Sequence, residues 1–166
     1  MTNPRTPFRQ MLQGAERVAV LGVGSSLRGD DAAGLLAAEQ VQFLGKAQHH
    51  RGHLAVFLGE TAPENLTGPI KSFRPTHLIV VDAADMGQPP GRIQAIDPMR
   101  VADVGSCSTH SLPLSVLTGY LRDELACRVL IIAIQPGSCG FGQSPCPAVV
   151  SAARRVARHI LRELRE

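Results

Sequence analysis

Apolar and polar positions along the chain follow two periods. Runs at 17–23, 53–58, 77–82 and 127–134, with a shorter one at 92–96, are aliphatic and largely β-branched, the mark of strands buried on both faces. Between them, 31–44, 63–72, 111–124 and 147–165 read as helices. The last places Val149, Ala153, Val156, Ile160 and Leu164 on one face. Alternation of the two element types predicts an α/β fold, a three-layer α/β/α sandwich. No linker, repeat or low-complexity segment interrupts the 166 residues, so one domain over 1–166 is expected, with residues 1–14 a loose polar arm.

One link breaks the alternation. Between Asp82 and Arg92, the stretch from Ala83 to Gly91 holds no helix and is short for a parallel crossover, which predicts a fourth strand antiparallel to the others. That strand then ends at the bottom of the sheet near Asp97 and Pro98. The next strand starts there too, so the helix between them runs downward and residues 99–109 climb to the top. His110 thereby arrives at the carboxyl edge, with Ser111 a candidate N-cap and Pro113 in the first turn. Asp82 reaches the same edge as the last residue of its strand. Right-handed crossovers with one change of winding direction make the first and third strands neighbours at the switch point.

The first strand–turn–helix unit, Val18 to Gly34, carries the densest chemistry. Gly22 and Gly24 suggest a dinucleotide fingerprint, but Leu27 stands where the third glycine is needed. Asp30 and Asp31 fill the place where a phosphate would sit and repel it. One of the two is expected to cap the following helix, and the other is a candidate ligand or acid/base group. A lone strand-end aspartate is commonly a turn former, and a lone histidine a cap or surface residue. Asp31, Asp82 and His110 converging on one solvent-facing edge favour chemistry instead. Two carboxylates and an imidazole suit a borderline transition metal such as nickel or zinc better than calcium.

Charge and cysteines narrow the field. The net charge of +3 is mild, and its excess sits on Arg154, Arg155, Arg158, Arg162 and Arg165, outside the apolar stripe of the last helix. With no Trp and one Tyr, there is no basic–aromatic pattern for nucleic acid. No run is long enough to cross a bilayer and no signal-peptide core is present, so a cytoplasmic protein is expected. Cys127 reads as a small core residue. Cys107, His110, Cys139 and Cys146 lack the paired spacing of a structural zinc site, and no G-x-S-x-G elbow supports a serine nucleophile.

In order along the chain, Gly22-Val23-Gly24, Gly29-Asp30-Asp31, Gly34, Thr61-Ala62-Pro63-Glu64-Asn65 and Arg74-Pro75-Thr76 are followed by Val81-Asp82-Ala83-Ala84-Asp85-Met86-Gly87. Pro90-Gly91, Ile96-Asp97-Pro98, Thr109-His110-Ser111-Leu112-Pro113-Leu114 and Ile134-Gln135-Pro136 complete the series. The sequence resembles the hydrogenase maturation endopeptidases in these motifs, most closely the branch that processes the large subunit of formate-hydrogenlyase-type enzymes. The resemblance implies a five-stranded sheet of order 2-1-3-5-4 with strand 4 antiparallel. It implies an aspartic-type endopeptidase that removes a C-terminal extension from a hydrogenase large-subunit precursor after nickel insertion. Nickel would arrive with the substrate and be recognised by Asp31, Asp82 and His110, with Asp31 or Asp82 activating water. Gly24, Ser25 and Asp85 would contact the substrate. No tightly bound cofactor, membrane or nucleic-acid partner is implied, and a monomer is expected.

The chain departs from the family pattern in two places. Ser25 replaces an asparagine, and Leu58-Gly59-Glu60 replaces Asp-Gly-Gly, which adds a carboxylate near the crevice. Ser25 can still donate and accept a hydrogen bond. A rival from another class is a non-enzymatic nickel-binding or metallochaperone module using the same three residues. A nucleotide-binding domain is the weaker rival.

Overall fold

The computed structural model describes residues 5–48, 52–99, 105–106 and 113–165. The main strands are β1 (Arg17–Val23), β2 (His53–Glu60), β3 (His77–Asp85), β4 (Ile93–Ile96) and, after the two-residue β5 (Gly105–Ser106), β6 (Arg128–Ile134). They lie in the order β2-β1-β3-β6-β4, and β5 pairs with the end of β3. Counting main strands alone this is 2-1-3-5-4, the order the resemblance implies. β1 runs parallel to β2 and β3, and β3 parallel to β6. β4 is antiparallel to β6, so the short link after β3 reverses the chain as its length requires.

Alternate residues of each central strand enter opposite cores. Val18 and Val20 of β1, Ile79, Val81 and Ala83 of β3, and Leu130, Ile132 and Ile134 of β6 face one cluster. There they meet α2 (Ala33–Gly45) and α5 (Pro147–Glu163). Ala19, Leu21, Leu78, Val80, Val129 and Ile131 face the other, against Ile70 of α3 (Thr67–Phe73) and Leu117 and Leu121 of α4 (Leu114–Leu125). Cys127 is buried in this second core as anticipated, and burial pushes its thiol pKa up. The three-layer architecture thus follows from strands that are apolar on both faces.

Four features differ from the sequence reading. Within the arm expected to be loose, α1 (Arg5–Met11) is helical, and Phe8 and Leu12 are buried in the core of α2 and α5. Phe8 lies 6.1 Å, ring to ring, from His159 of α5. The expected helices at 31–44 and 63–72 each begin as a separate 3-10 turn, Gly29–Ala32 and Pro63–Leu66. Ser111, the expected N-cap of α4, lies outside the described residues, and Pro113 occupies that N-cap rather than the first turn. Its ring fixes φ and it has no N–H to lose, so it fits just outside a helix as well as inside. Last, β3 runs three residues beyond Asp82, because β5 pairs with Ala84 and Asp85. Among the described residues no helix is long and apolar enough to cross a membrane.

Candidate active site

At the carboxyl edge of the sheet, β1 gives way to a loop as its register with β2 slips between Gly22 and Val23, pairing Val23 with Glu60. The Gly24 N–H donates to the Glu60 carbonyl at 2.9 Å, and Gly24 itself takes φ +138°. A side chain there would overlap the Asp31 carbonyl, so the loop folds back tightly onto the 3-10 turn. Gly34, at the start of α2, lies directly against the carbonyls of Val23 and Val81. The turn bearing Asp30 and Asp31 is therefore wedged between the ends of β1 and β3, and Asp82 follows Val81 at that same end.

Asp31 and Asp82 are brought to one edge, as the switch-point argument requires, but neither faces solvent: they are 1% and 4% exposed. Buried carboxylates need hydrogen bonds. The Ser25 N–H donates to Asp31 Oδ2 at 2.9 Å, and the Ala83 N–H to Asp82 Oδ1 at 2.8 Å. Ser25 thus serves Asp31 through its backbone, while its hydroxyl accepts the Leu27 N–H at 3.2 Å and shapes the loop. Glu60 is exposed beside this loop, with φ +51°.

Neither aspartate caps α2. Its N-cap is Ala32, without a side-chain hydrogen bond, and the 3-10 turn before it is likewise uncapped. Asp30, 1% exposed, instead reaches more than a hundred residues along the chain. Its Oδ2 accepts the N–H groups of Gly137 at 2.7 Å and Ser138 at 3.1 Å, and its Oδ1 accepts that of Cys146, the N-cap of α5, at 2.6 Å. Burial alone would raise its pKa, but the Cys146, Gly137 and Ser138 donors outweigh it and hold the carboxyl below its ordinary value. A negative charge at the start of a helix is also favoured by the helix dipole. Main-chain bonds stitch the same segments together: Gly29 N–H to the Gln143 carbonyl at 3.0 Å, Asp30 N–H to that of Ser138 at 2.9 Å, and Gly142 N–H to that of Leu27 at 2.7 Å.

Asp85 lies beyond the crevice, exposed, its Oδ1 accepting the Gly87 N–H at 3.0 Å and Gln135 Nε2 at 3.1 Å. Those two bonds, the Gly87 one foremost, lower its pKa. Gln135, quoted above only within the motif Ile134-Gln135-Pro136, was given no role there. It is 5% exposed, and its Oε1 accepts the N–H groups of Met86 and Gln88 at 2.6 and 3.2 Å. It thereby fixes the loop that follows Asp82 and Asp85. The available signal was a polar residue ending the apolar run of β6, in the position Asp82 holds at the end of its own run.

His110 and Cys107 lie outside the described residues, so the three-residue set and the zinc alternative are both incomplete there. Among the described residues Cys139 and Cys146 form no disulfide, and no group of three His, Cys, Asp or Glu side chains is arranged to hold a metal ion.

The sequence model of the hydrogenase maturation protease family matches residues 39–163. The chain is 41% identical over 122 residues to the hydrogenase 3 maturation protease of Escherichia coli (strain K12), covering 74% of each. Its structure matches that of the NiFe hydrogenase maturation protease HycI of Thermococcus kodakarensis KOD1 with a TM-score of 0.84 at 30% identity, over 97% of this chain and 100% of that one. It matches the solution structure of an endopeptidase, HycI of Escherichia coli, with a TM-score of 0.72 at 35% identity, over 86% and 87% of the two chains. On sequence and architecture together, the chain belongs to the hydrogenase maturation protease family.

Proposed function

We propose that this chain is the endopeptidase that removes the C-terminal extension of a nickel-iron hydrogenase large-subunit precursor after nickel has been inserted. The reading rests on one observation above all: two aspartates, Asp31 and Asp82, are buried at the carboxyl edge of the sheet where an α/β protein binds its ligands. Burial of carboxylates at one edge of the sheet raises their affinity for a cation or a proton. A nickel ion carried by the substrate supplies that cation. Asp31, Asp82 and His110 are then its recognition set.

In this reading the chemistry is of the aspartic type. One of the two aspartates takes a proton from water, and the water oxygen attacks the scissile carbonyl. The same carboxyl returns the proton to the leaving amine. The Ser25 and Ala83 N–H groups hold the two carboxylates in place, so little reorganisation is needed when substrate arrives. Metal of this kind is cargo of the substrate, and the enzyme needs no resident cofactor.

Incubation with a nickel-loaded large-subunit precursor, followed by intact-mass measurement, tests the proposal. Loss of the mass of the C-terminal tail, dependent on nickel in the precursor, is expected. Stoichiometric, reversible nickel binding with no change in precursor mass would instead identify a metallochaperone.

A further inference from the structure

Arg28 closes the turn that carries Asp31. Its N–H approaches the Ser25 carbonyl at 3.4 Å, and its own carbonyl accepts the Asp31 N–H at 3.0 Å. The side chain is half-buried, and its Nε is shut off from solvent with no hydrogen-bond partner. Withdrawing such a donor from water without a partner is unfavourable. The adjacent acids do not offset this. Asp30 is committed to three backbone donors and the Asp31 Oδ2 to Ser25, and no carboxylate among the described residues pairs with Arg28.

The surroundings of Arg28 face outward. Leu27 is 62% exposed and Phe141 75% exposed, on the two segments joined by the bond from Gly142 to Leu27. Exposed apolar side chains thus flank the turn that carries Arg28 and Asp31. The five donors of a guanidinium, set in a plane, match carbonyl and carboxylate oxygens.

We propose that Arg28 is a positioning residue for the substrate, its guanidinium donating hydrogen bonds to an oxygen acceptor on the chain being cut. The assignment rests on the proteolytic reading above and adds the residue that registers the scissile bond against Asp31 and Asp82. Supplying the missing acceptor only in the complex places that gain in substrate affinity.

The test compares Arg28→Gln and Arg28→Lys with the unmodified protein, following cleavage of the nickel-loaded precursor across substrate concentration and thermal unfolding of each protein alone. Loss of a charge-assisted hydrogen bond predicts a KM raised roughly tenfold to a hundredfold in Arg28→Gln, with kcat changed less than about threefold. Its unfolding temperature should be unchanged or higher, since a buried unpaired donor is gone. If the acceptor is a carboxylate, Arg28→Lys recovers part of the affinity and KM rises with salt; if it is a neutral carbonyl, Lys behaves like Gln. An unchanged KM in Arg28→Gln overturns the proposal, as does a fall in unfolding temperature with KM intact, which marks a purely structural role. Should the unmodified protein leave the precursor uncut, the proteolytic reading fails by itself. Arg28 is then judged by the affinity of each protein for that precursor in biolayer interferometry, where equal affinity of Arg28→Gln rejects it and weakened affinity sustains it.

Discussion

Replacing Asp30 by asparagine keeps the shape of the side chain and removes its charge, at a position where the charge faces three main-chain donors. The amide can turn its oxygen toward Gly137 and Ser138, but its NH2 then meets the Cys146 N–H, donor against donor. Turned the other way, it opposes two donors instead of one. The better orientation loses one charge-assisted bond, weakens two, and leaves a buried N–H without an acceptor. With about 1.5–3 kcal/mol for a hydrogen bond to a charged group, and about 1–3 kcal/mol for a stranded donor, a net loss of about 2–4 kcal/mol follows after partial relaxation. Urea unfolding followed by circular dichroism measures it as a lower midpoint at unchanged m.

The pH dependence of the same variant provides a sharper check. Because the folded-state pKa of Asp30 lies below its ordinary value near 4, its contribution is present above about pH 4 and is lost as pH falls through the lowered folded value. The stability gap between Asp30→Asn and the unmodified protein should therefore be largest at neutral pH and should narrow in acid. A gap under about 0.5 kcal/mol at pH 7, or one that widens in acid, would refute the reasoning.

Three further outcomes are expected. Asp31→Asn, Asp82→Asn and His110→Ala should each abolish tail removal by intact mass; for the two aspartates, Asn retains an oxygen for the Ser25 or Ala83 N–H, so stability should fall by no more than about 2 kcal/mol in chemical denaturation. Gly34→Ala should lower stability by about 3 kcal/mol or more, since its methyl group would collide with the main-chain carbonyls of Val23 and Val81, which cannot yield as a side chain could. Treatment with EDTA should leave the far-ultraviolet circular dichroism and the unfolding temperature unchanged, because two apolar cores hold the sheet; unfolding on chelation would point to a structural metal.

What the sequence discloses here divides by the range of the interactions involved. The reversal at β4 follows from the length of the Ala83–Gly91 link, a local constraint, and the two-sided burial of β1, β3 and β6 from their unbroken aliphatic runs. Asp30 and Asp31 are neighbours of the same type, and nothing local separates them. Their roles diverge because Gly137, Ser138 and Cys146, remote in the chain, present N–H groups to one and not the other. Phe8 and Leu12 were hidden for a similar reason. A short segment containing Pro4 and Pro7 has weak intrinsic helix character, and burial against α5 decides its structure. Gln135 showed only as a polar residue at the end of an apolar run, since three of its four side-chain bonds go to Asp85, Met86 and Gln88, which it meets only once β3 and β6 are adjacent.

The stitching of the 27–31 turn to the 137–146 segment also sets an order of events during synthesis. Residues 17–34 leave the ribosome early, yet the carboxylate of Asp30 has no protein donor until Gly137, Ser138 and Cys146 have emerged. Until then it can stay only where water reaches it, so the turn it anchors cannot bury itself. A nascent chain stopped short of Gly137 can pair β1, β2 and β3 and still lack a finished crevice. Contacts of such long sequence separation form late in folding. The 27–31 turn is thus completed only by bonds to the last quarter of the chain, and the same bonds then hold it in place.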